Sequence, residues 1–331
     1  MATYKETVGT SVVNYAGTYS GAVEGEVWYD STASTFKVNT GALVFAWATS
    51  NSLNLARYNS GGAGTYTAAL CFGGAAPPGA YKTNTESYNG TNWTEVNEMN
   101  TGREYIGDAG TTNTAALAFG GWKPGTASET ELWNGTNWTN VNGLGTARYG
   151  PAGCGTSTSA LASGGNQGAP SYGPLGNVET WNGSNWTEVT NLNVARGSSA
   201  SAGASNTAGL VFGGGPNPAG INPADLTETW NGSNWTEVND LNTARESLAG
   251  TGATNTASLA VGGQATPGVT AKTESWNGTN WTEVNDLNTG RGALAGAGTN
   301  ALAVVFGGSS PTQGTTEEWS ETGGIKTIET S

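Results

Sequence analysis

Hydrophobic and polar positions recur along this chain in short, similar runs. Each apolar run is brief and ends in two glycines, as in Leu210–Phe212 before Gly213-Gly214. A polar loop follows, and then a stretch rich in Thr, Val and Trp that is split by Asn-Gly, as in Thr227–Val238. Short β-branched and aromatic runs separated by Gly and Asn predict strands joined by tight turns.

A tryptophan after each Asn-Gly pair marks the period of the pattern. It returns every 45–49 residues, at Trp93, Trp138, Trp186, Trp235 and Trp281. A period of this length indicates a repeat architecture. Six units follow one another, each beginning at an arginine and holding four predicted strands. The sequence therefore predicts an all-β propeller of six four-stranded blades.

The last unit lacks the strand that should follow its segment Glu317–Trp319. Near the start of the chain, Ala42–Trp47 resembles that missing strand, and the residues from Trp47 to Arg57 match those from Trp235 to Arg245 in spacing. An open propeller would leave two unpaired sheet edges. We therefore predict that Ala42–Trp47 closes the last blade.

The domain organisation follows from this closure. We assign residues 42–331 to the propeller and residues 1–41 to an N-terminal segment that contains a β-hairpin and serves in attachment to a virion. The alternative is a seventh blade built from residues 26–49.

Composition and charge exclude several classes of function and leave the predicted fold as it is. The net charge is −13 and the chain has no His. This acidity argues against nucleic acid and anionic membranes as partners, and the lack of His removes the commonest metal ligand and general base. No apolar run is long enough to cross a membrane, and the N-terminus lacks the features of a signal peptide. We expect no cofactor, no metal, and free buried thiols at Cys71 and Cys154.

The combined pattern resembles the kelch repeat. Its marks are the double glycine, an aromatic residue after glutamate and a spaced tryptophan, and they cover about residues 42–331. The first aromatic residue is Trp in five units and Tyr only at Tyr88. The resemblance implies a kelch-like β-propeller and says little about activity.

A second resemblance concerns biological context. The segment G-E-V-W-Y-D-S-T-A-S-T-F-K-V at 25–38 resembles elements of tailed-bacteriophage fibre and appendage proteins, and arrays of the form L-N-T-A-R are similar to phage virion proteins. The resemblance implies a virion protein that is made in the cytoplasm of a bacterial host without a signal peptide. Its implied partners are other virion proteins, and homo-oligomerisation is left open.

Two charged residues recur in each unit, an arginine at its start and a glutamate before its first aromatic residue. The planar guanidinium suits a carboxylate partner, and a catalytic site is rarely copied six times, so we interpret them as structural ion pairs rather than as a ring of ligands. Paired carboxylates can hydrolyse glycosides, but every candidate pair belongs to the periodic scaffold. The recurring residues are Arg57, Arg103, Arg148, Arg196, Arg245, Arg291, Glu86, Glu131, Glu179, Glu228, Glu274 and Glu317.

The loops after the double glycines vary in length and composition from unit to unit. Variable loops on a constant scaffold are typical of binding surfaces, although exposed loops also vary when nothing constrains them. Aromatic side chains beside polar ones can stack on sugar rings, so a glycan is the predicted ligand. The candidate ligand-binding residues are Tyr81, Lys82, Trp122, Lys123 and Tyr172.

The sequence thus favours a non-enzymatic phage virion or appendage protein of the tail-fibre type. Its predicted function is to bind a host-surface receptor, a glycan or a protein, through the variable-loop face. One alternative is a purely structural virion component, a decoration or tail part that holds neighbouring proteins. The other is a glycan-processing enzyme. Neither nucleic-acid binding nor membrane insertion is expected.

Overall fold

The computed structural model describes residues 13–15, 26–39, 44–169, 173–215, 223–322 and 325–328. These ranges contain strands, turns and irregular segments and no helix, so they hold no helix that could cross a membrane. The chain divides into two compact units, Trp47–Trp319 and the pair of segments Met1–Ala46 and Ser320–Ser331.

The larger unit is a six-bladed propeller, as the sequence predicts, and each blade is a four-stranded antiparallel sheet. Numbered along the chain and given from the first strand to the outer strand, the blades are: one, Gly61–Thr65, Ala68–Phe72, Thr85–Tyr88 and Trp93–Val96; two, Gly107–Thr112, Ala115–Phe119, Thr130–Trp133 and Trp138–Val141; three, Ala152–Thr156, Ser159–Ser163, Val178–Trp181 and Trp186–Val189; four, Ala200–Ser205, Ala208–Phe212, Thr227–Trp230 and Trp235–Val238; five, Ala249–Thr254, Ala257–Val261, Thr273–Trp276 and Trp281–Val284; six, Ala295–Gly298, Ala303–Phe306, Thr316–Thr322 and Val44–Ser50.

The first strands line the central axis, where most positions have room only for small residues. A Cβ atom added to Gly62 would lie 2.7 Å from the carbonyl oxygen of Gly296 in the neighbouring blade. Real Cβ atoms do not approach other atoms so closely, because dense packing leaves no room for the overlap. The glycine-rich composition of these strands therefore follows from their crowding around the axis.

Six apolar clusters fill the spaces between neighbouring blades, and a tryptophan from an outer strand belongs to each cluster or packs against it. Between blades one and two, the rings of Phe72 and Trp138 meet edge to face with centroids 4.9 Å apart. Trp138 also donates its Nε1 hydrogen to the hydroxyl of Thr85 in blade one at 3.0 Å. Such a tryptophan buries its apolar ring while its N–H keeps a hydrogen-bond partner, as a buried indole requires.

The interface between blades three and four departs from this hydrogen-bond pattern for a reason visible in the sequence. Val178 stands where the five other blades have threonine, so it offers no hydroxyl. Trp235 of blade four donates instead to the backbone carbonyl of Thr190 at 3.1 Å. The buried indole nitrogen keeps a partner despite the substitution.

The Asn-Gly pairs form the turns between the third and outer strands. In blade one the Asn89 side-chain oxygen accepts hydrogen bonds from the backbone of Thr91 and Asn92, and Gly90 adopts a φ of 87°. A β-carbon disfavours such a left-handed backbone, which explains the glycine. These turns lie beside the turns between first and second strands, since Gly90 lies next to Thr67. We call this end of the propeller the lower face.

Closure of the propeller occurs within blade six, as predicted. The strand Val44–Ser50 is the outer neighbour of Thr316–Thr322. The rings of Trp47 and Trp319 lie 5.3 Å apart, and both belong to the cluster between blades five and six. Of the predicted strand Ala42–Trp47, the first two residues lie outside the described ranges. The seven-blade alternative is wrong, because blade six packs directly against blade one.

The smaller unit contains a separate four-stranded sheet. Its strands, in spatial order, are Val13–Tyr15, Val27–Asp30, Thr35–Asn39 and Ile325–Ile328; the first pair is parallel and the others are antiparallel. The boundary between the units therefore differs from the predicted division into residues 1–41 and 42–331. The end of the chain belongs with the N-terminal hairpin because it adds a strand to that sheet.

Candidate functional site

A buried ion pair joins the first arginine of each blade to a glutamate on the third strand. All six arginine side chains are fully buried. In blade four, Nη1 of Arg196 lies 2.6 Å from Oε1 of Glu228. The six pairs are Arg57–Glu86, Arg103–Glu131, Arg148–Glu179, Arg196–Glu228, Arg245–Glu274 and Arg291–Glu317.

The same carboxylates hold the connections that enter the blades. In blade one, Glu86 accepts hydrogen bonds from the backbone and side-chain nitrogens of Asn54 at 2.7 and 2.9 Å. Asn54 lies in the connection from the outer strand of blade six, so Glu86 ties one blade to the next. Both members of each pair are buried inside the protein, which leaves them no access to an external ligand.

The opposite end of the propeller, which we call the upper face, holds the loops after the double glycines and the residues that follow each arginine. The backbones of these two segments pair within every blade, for example Glu104 with Trp122 in blade two. The second glycine of each pair also donates to the carbonyl of the next arginine, as Gly121 does to Arg148 at 2.9 Å. The double glycine and the arginine thus form one repeated junction.

A closed ring of backbone hydrogen bonds surrounds the upper opening of the central channel. It is formed by the second residue after each arginine, whose N–H donates to the carbonyl of its counterpart in the preceding blade at 2.7–2.9 Å. All six residues have left-handed backbones with φ between 51° and 60°. We call them the mouth ring: Asn59, Tyr105, Gly150, Ser198, Ser247 and Ala293.

Aromatic side chains cluster beside the mouth ring over blades two and three. The ring of Tyr149 lies 5.7 Å from that of Tyr105 and 5.2 Å from that of Trp122, edge to face in both cases. Tyr105 and Tyr149 line a cavity of about 260 Å³ together with Asn166 and Glu246. A second hollow of about 170 Å³ shares Tyr105 and Glu246 and extends towards blade one. Together these hollows form an aromatic site on the upper face.

Two polar side chains in this cavity have unused hydrogen-bonding capacity. Asn166 as a whole residue is 8% exposed, and within the described part of the chain its side-chain amide has no hydrogen-bond partner. The Glu246 carboxylate is only partly buried and also has no hydrogen-bond partner among the described residues, and this partial burial raises its pKa. This arrangement is suited to a ligand that supplies hydrogen-bond donors and acceptors.

A second carboxylate at the edge of the site is already engaged. Asn59 donates its side-chain amide to Oε2 of Glu104 at 2.9 Å. Burial raises the pKa of Glu104, and the Asn59 hydrogen bond opposes that change. Among the described residues that line the two hollows, none carries a positive charge.

The candidate residues from the sequence are placed unevenly. Trp122 belongs to the aromatic cluster, whereas Lys123 beside it forms an ion pair with Glu129 at the surface. Tyr81 and Lys82 lie on the same face in the loop of blade one, and neither lines the two hollows. Tyr172 lies outside the described residues. Of the four candidate residues that the structure describes, Trp122 is thus the one that belongs to this site.

Tyr105, Tyr149, Asn166 and Glu246 are absent from the sequence-based set of candidates. Three of them lie in the first two positions after an arginine, a stretch that resembles a constant connection. An alignment of the six units shows the signal, because the residue directly after the arginine is Tyr, Glu, Tyr, Gly, Glu and Gly in chain order. Such chemical variation at a structurally fixed position marks an exposed site.

The described residues contain no group of three or more His, Cys, Asp and Glu side chains arranged to hold a metal ion. Cys71 and Cys154 are free and buried, as expected. The chemistry available on the upper face is therefore hydrogen bonding by an amide and carboxylates together with contact to aromatic rings.

Comparison with known proteins supports the fold. No protein-family model and no curated protein matches the chain. Among solved structures, that of YjhT, a kelch-type propeller, aligns with a TM-score of 0.67 and 10% sequence identity, over 85% of this chain and 99% of that one. At this level of identity the likeness extends to the propeller fold alone. The chain is thus similar to a kelch-type six-bladed propeller.

Proposed function

We propose that this protein is a non-enzymatic virion or appendage protein that binds a host-surface glycan through the upper face of its propeller. The observation that carries the proposal is the cavity in which the unpartnered Asn166 amide and Glu246 carboxylate lie with Tyr105 and Tyr149. The virion context comes from the resemblance of the N-terminal segment and the repeats to phage proteins.

The chemistry of this cavity suits a sugar. An amide and a carboxylate offer donors and acceptors to neighbouring hydroxyl groups, and the faces of sugar rings pack against aromatic side chains. Edge and face contacts to aromatic rings contribute about 0.5–1.5 kcal/mol each beyond burial. Several such contacts among Tyr105, Tyr149 and Trp122 are needed for useful affinity.

Charge restricts the kind of glycan. Glu246 and Glu104 border the site, and the described lining residues supply no Arg or Lys. The six arginines are buried in their own ion pairs. An anionic polysaccharide would meet like charges without a compensating cation, which costs binding energy. The proposed ligand is therefore an uncharged glycan.

The test is retention of the pure protein on immobilised host-surface polysaccharides, with uncharged and anionic fractions compared. Tyr105→Ser is the central variant, since Ser198 and Ser247 occupy the same ring position with the same backbone conformation. Glu246→Gln removes the charge and keeps the shape. Tyr81→Ala is the matched control, an aromatic residue of the same face outside the cavity.

We expect retention on the uncharged fraction, a loss of at least tenfold in affinity for Tyr105→Ser and Glu246→Gln, and no change for Tyr81→Ala. Binding that depends on Tyr81 and not on Tyr105 would move the site to the loop of blade one. Cleavage of the polysaccharide would indicate a glycan-processing enzyme. Absence of retention on every fraction would favour a structural virion component.

A further inference from the structure

The wall of the central channel departs from the sixfold repeat at one position. The second residue of each first strand is glycine in four blades and serine in one, and only blade two has a charged residue there. In chain order the six residues are Gly62, Asp108, Gly153, Ser201, Gly250 and Gly296.

The second position of a first strand has little room for a side chain. An aspartate at this position in blade two therefore needs a structural reason. A Cβ atom added to Gly153 would lie 2.2 Å from the carbonyl oxygen of Asp108, and one added to Gly250 would lie 2.5 Å from that of Ser201. Asp108 fits because its neighbour is Gly62, whose backbone N–H donates to Oδ2 at 3.0 Å. The carboxylate therefore lies against the first strand of blade one, at the channel wall.

The carboxylate has little compensation from its surroundings. Among the described residues, the Gly62 N–H is its one hydrogen-bond donor, and no Arg or Lys lines the channel. Burial raises the pKa of Asp108 to about 7. The titratable neighbours of Asp108 supply no positive charge. Burial, and then the Asp108 carboxylate, raise the pKa of Cys154 to about 12, which leaves this thiol uncharged near neutral pH. Tyr66 donates its hydroxyl hydrogen to Glu318.

Asp108 faces a cavity of about 650 Å³ that opens on the lower face. This volume is within the range of small-molecule sites in proteins. Glycine and alanine make up much of the wall, and hydroxyl groups of Thr111, Ser201 and Thr251 also line it. The cavity is separate from the aromatic site, because it lies at the other end of the channel.

We propose that this channel binds a small organic cation through a primary ammonium group that pairs with Asp108. A partly buried charge with few hydrogen bonds is stabilised by an opposite charge, and an ammonium ion supplies both that charge and three donors. Its remaining hydrogens would reach the hydroxyl and carbonyl oxygens of the wall. A divalent metal fits less well, because the described residues around Asp108 bring no second carboxylate.

The test is calorimetric titration of the full chain with 1,4-diaminobutane and n-butylammonium, and with 1-butanol as the uncharged counterpart. Asp108→Gly restores the residue present in four blades, and Asp108→Asn keeps the shape without the charge. Thermal unfolding of both variants verifies that they fold. Glu237→Gln, at an exposed position on the outer strand of blade four, is the control for a general loss of negative charge.

We expect saturable binding of the amines and none of 1-butanol, with a loss of at least about tenfold, or 1.4 kcal/mol, in both Asp108 variants. The Glu237→Gln variant should bind as the original protein does. Affinity should rise between about pH 6 and 8, as Asp108 ionises. Undiminished binding by a folded Asp108→Gly protein overturns the proposal, and so does the absence of saturable binding to both amines.

Discussion

Blades five and six have the same architecture but are completed in different ways. In blade five an Asn-Gly turn joins the third strand to the outer strand, whereas in blade six the outer strand comes from near the other end of the chain. The packing of the tryptophan rings in the core is nevertheless the same in the two blades. The tryptophan rings are 5.3 Å apart in both blades. Trp281 and Trp47 each donate to a threonine hydroxyl of the preceding blade, at 3.1 and 3.0 Å.

Polar contacts at the closure do differ from those elsewhere. Tyr88 of blade one donates its hydroxyl hydrogen to Glu318 on the third strand of blade six, and the same hydroxyl lies 2.6 Å from that of Ser50 on the outer strand. Tyr66 adds a hydrogen bond to Glu318 at 3.2 Å. In the five other blades the aromatic residue at the position of Tyr88 is tryptophan, which donates to a carbonyl within its own blade. We call the contacts of Tyr88, Glu318, Ser50 and Tyr66 the closure network.

This comparison teaches that a repeated core can be closed without a covalent turn if polar groups connect the strands at that point. The closure network links blade one to the third and outer strands of blade six, which no turn connects. It also explains why the kelch-like pattern has tyrosine in place of tryptophan only at Tyr88, since the hydroxyl of a tyrosine can reach a carboxylate that an indole would not.

The largest expected effect comes from removal of the closing strand. Deletion of residues 1–50 should cause aggregation or a large fall in melting temperature, because blade six would lose Trp47 and present an open sheet edge. Size-exclusion chromatography and thermal unfolding measure both outcomes. Deletion of residues 1–41 is the control, since it retains Val44–Ser50. A truncated protein that remains monomeric with an unchanged melting temperature would contradict closure by this strand.

A smaller effect is expected from the buried ion pairs, and it should differ between the two blades. Arg245 of blade five donates hydrogen bonds to Glu274 and to the carbonyls of Gly262, Ala260 and Lys272. Removal of one partner of a buried pair costs about 3–5 kcal/mol, because it leaves the other charge without compensation. Arg245→Ala should therefore lower the free energy of unfolding by about that amount.

Arg291→Ala in blade six should cost less. Its Nη1 atom lies 3.0 Å from Oε1 of Glu317, but its guanidinium lacks the hydrogen bonds to backbone carbonyls that hold Arg245. Urea unfolding of the two variants in parallel measures the difference. A larger loss for Arg291→Ala than for Arg245→Ala would show that the closing blade depends on this pair more than its geometry implies.

The smallest effect concerns the closure network. Tyr88→Phe should lower the free energy of unfolding by about 1.5–3 kcal/mol, because hydrogen bonds to charged groups contribute about that much. Tyr66→Phe removes one longer hydrogen bond of the same network and should cost less. The measurement is urea unfolding near neutral pH. Equal stability of Tyr88→Phe and the original protein would show that the closure network does not stabilise blade six.

The Tyr88 contribution should also depend on pH. Burial, and then the hydrogen bond to Glu318, raise the pKa of Tyr88 to about 12, above its usual value near 10. The unfolded chain therefore loses this proton at lower pH than the folded protein does. The stabilisation is complete below about pH 10 and declines as the pH approaches 12. The stability difference between Tyr88→Phe and the original protein should narrow over that interval.

The fold could be read from the sequence because each blade repeats the same local signals. The double glycine, the Asn-Gly turn and the spaced tryptophan fix strand ends, and the unmatched segment before Trp47 indicates closure. The pairing of Arg196 with Glu228 was also accessible, since both recur with the period of the repeat. Local patterns of this kind suffice where every unit adopts one structure.

The aromatic site was harder to find because neighbouring blades form it. Trp122 lies in a loop of blade two, but it meets Tyr149 of blade three. That meeting depends on how one sheet packs against the next, which no local pattern encodes. Asp108 was missed for a related reason. A single aspartate in a glycine-rich strand has no meaning until its position is aligned with the other five.

The mouth ring has a consequence for how this surface can diversify. Its six hydrogen bonds join main-chain atoms only, so the circle persists whatever side chains the ring displays. Its members already include Asn, Tyr, Ser, Ala and Gly, and none is β-branched, which agrees with the cost of a left-handed backbone for such residues. Selection can thus exchange the chemistry of the opening residue by residue while its frame stays the same. The backbone of the mouth ring can therefore stay the same while its side chains change.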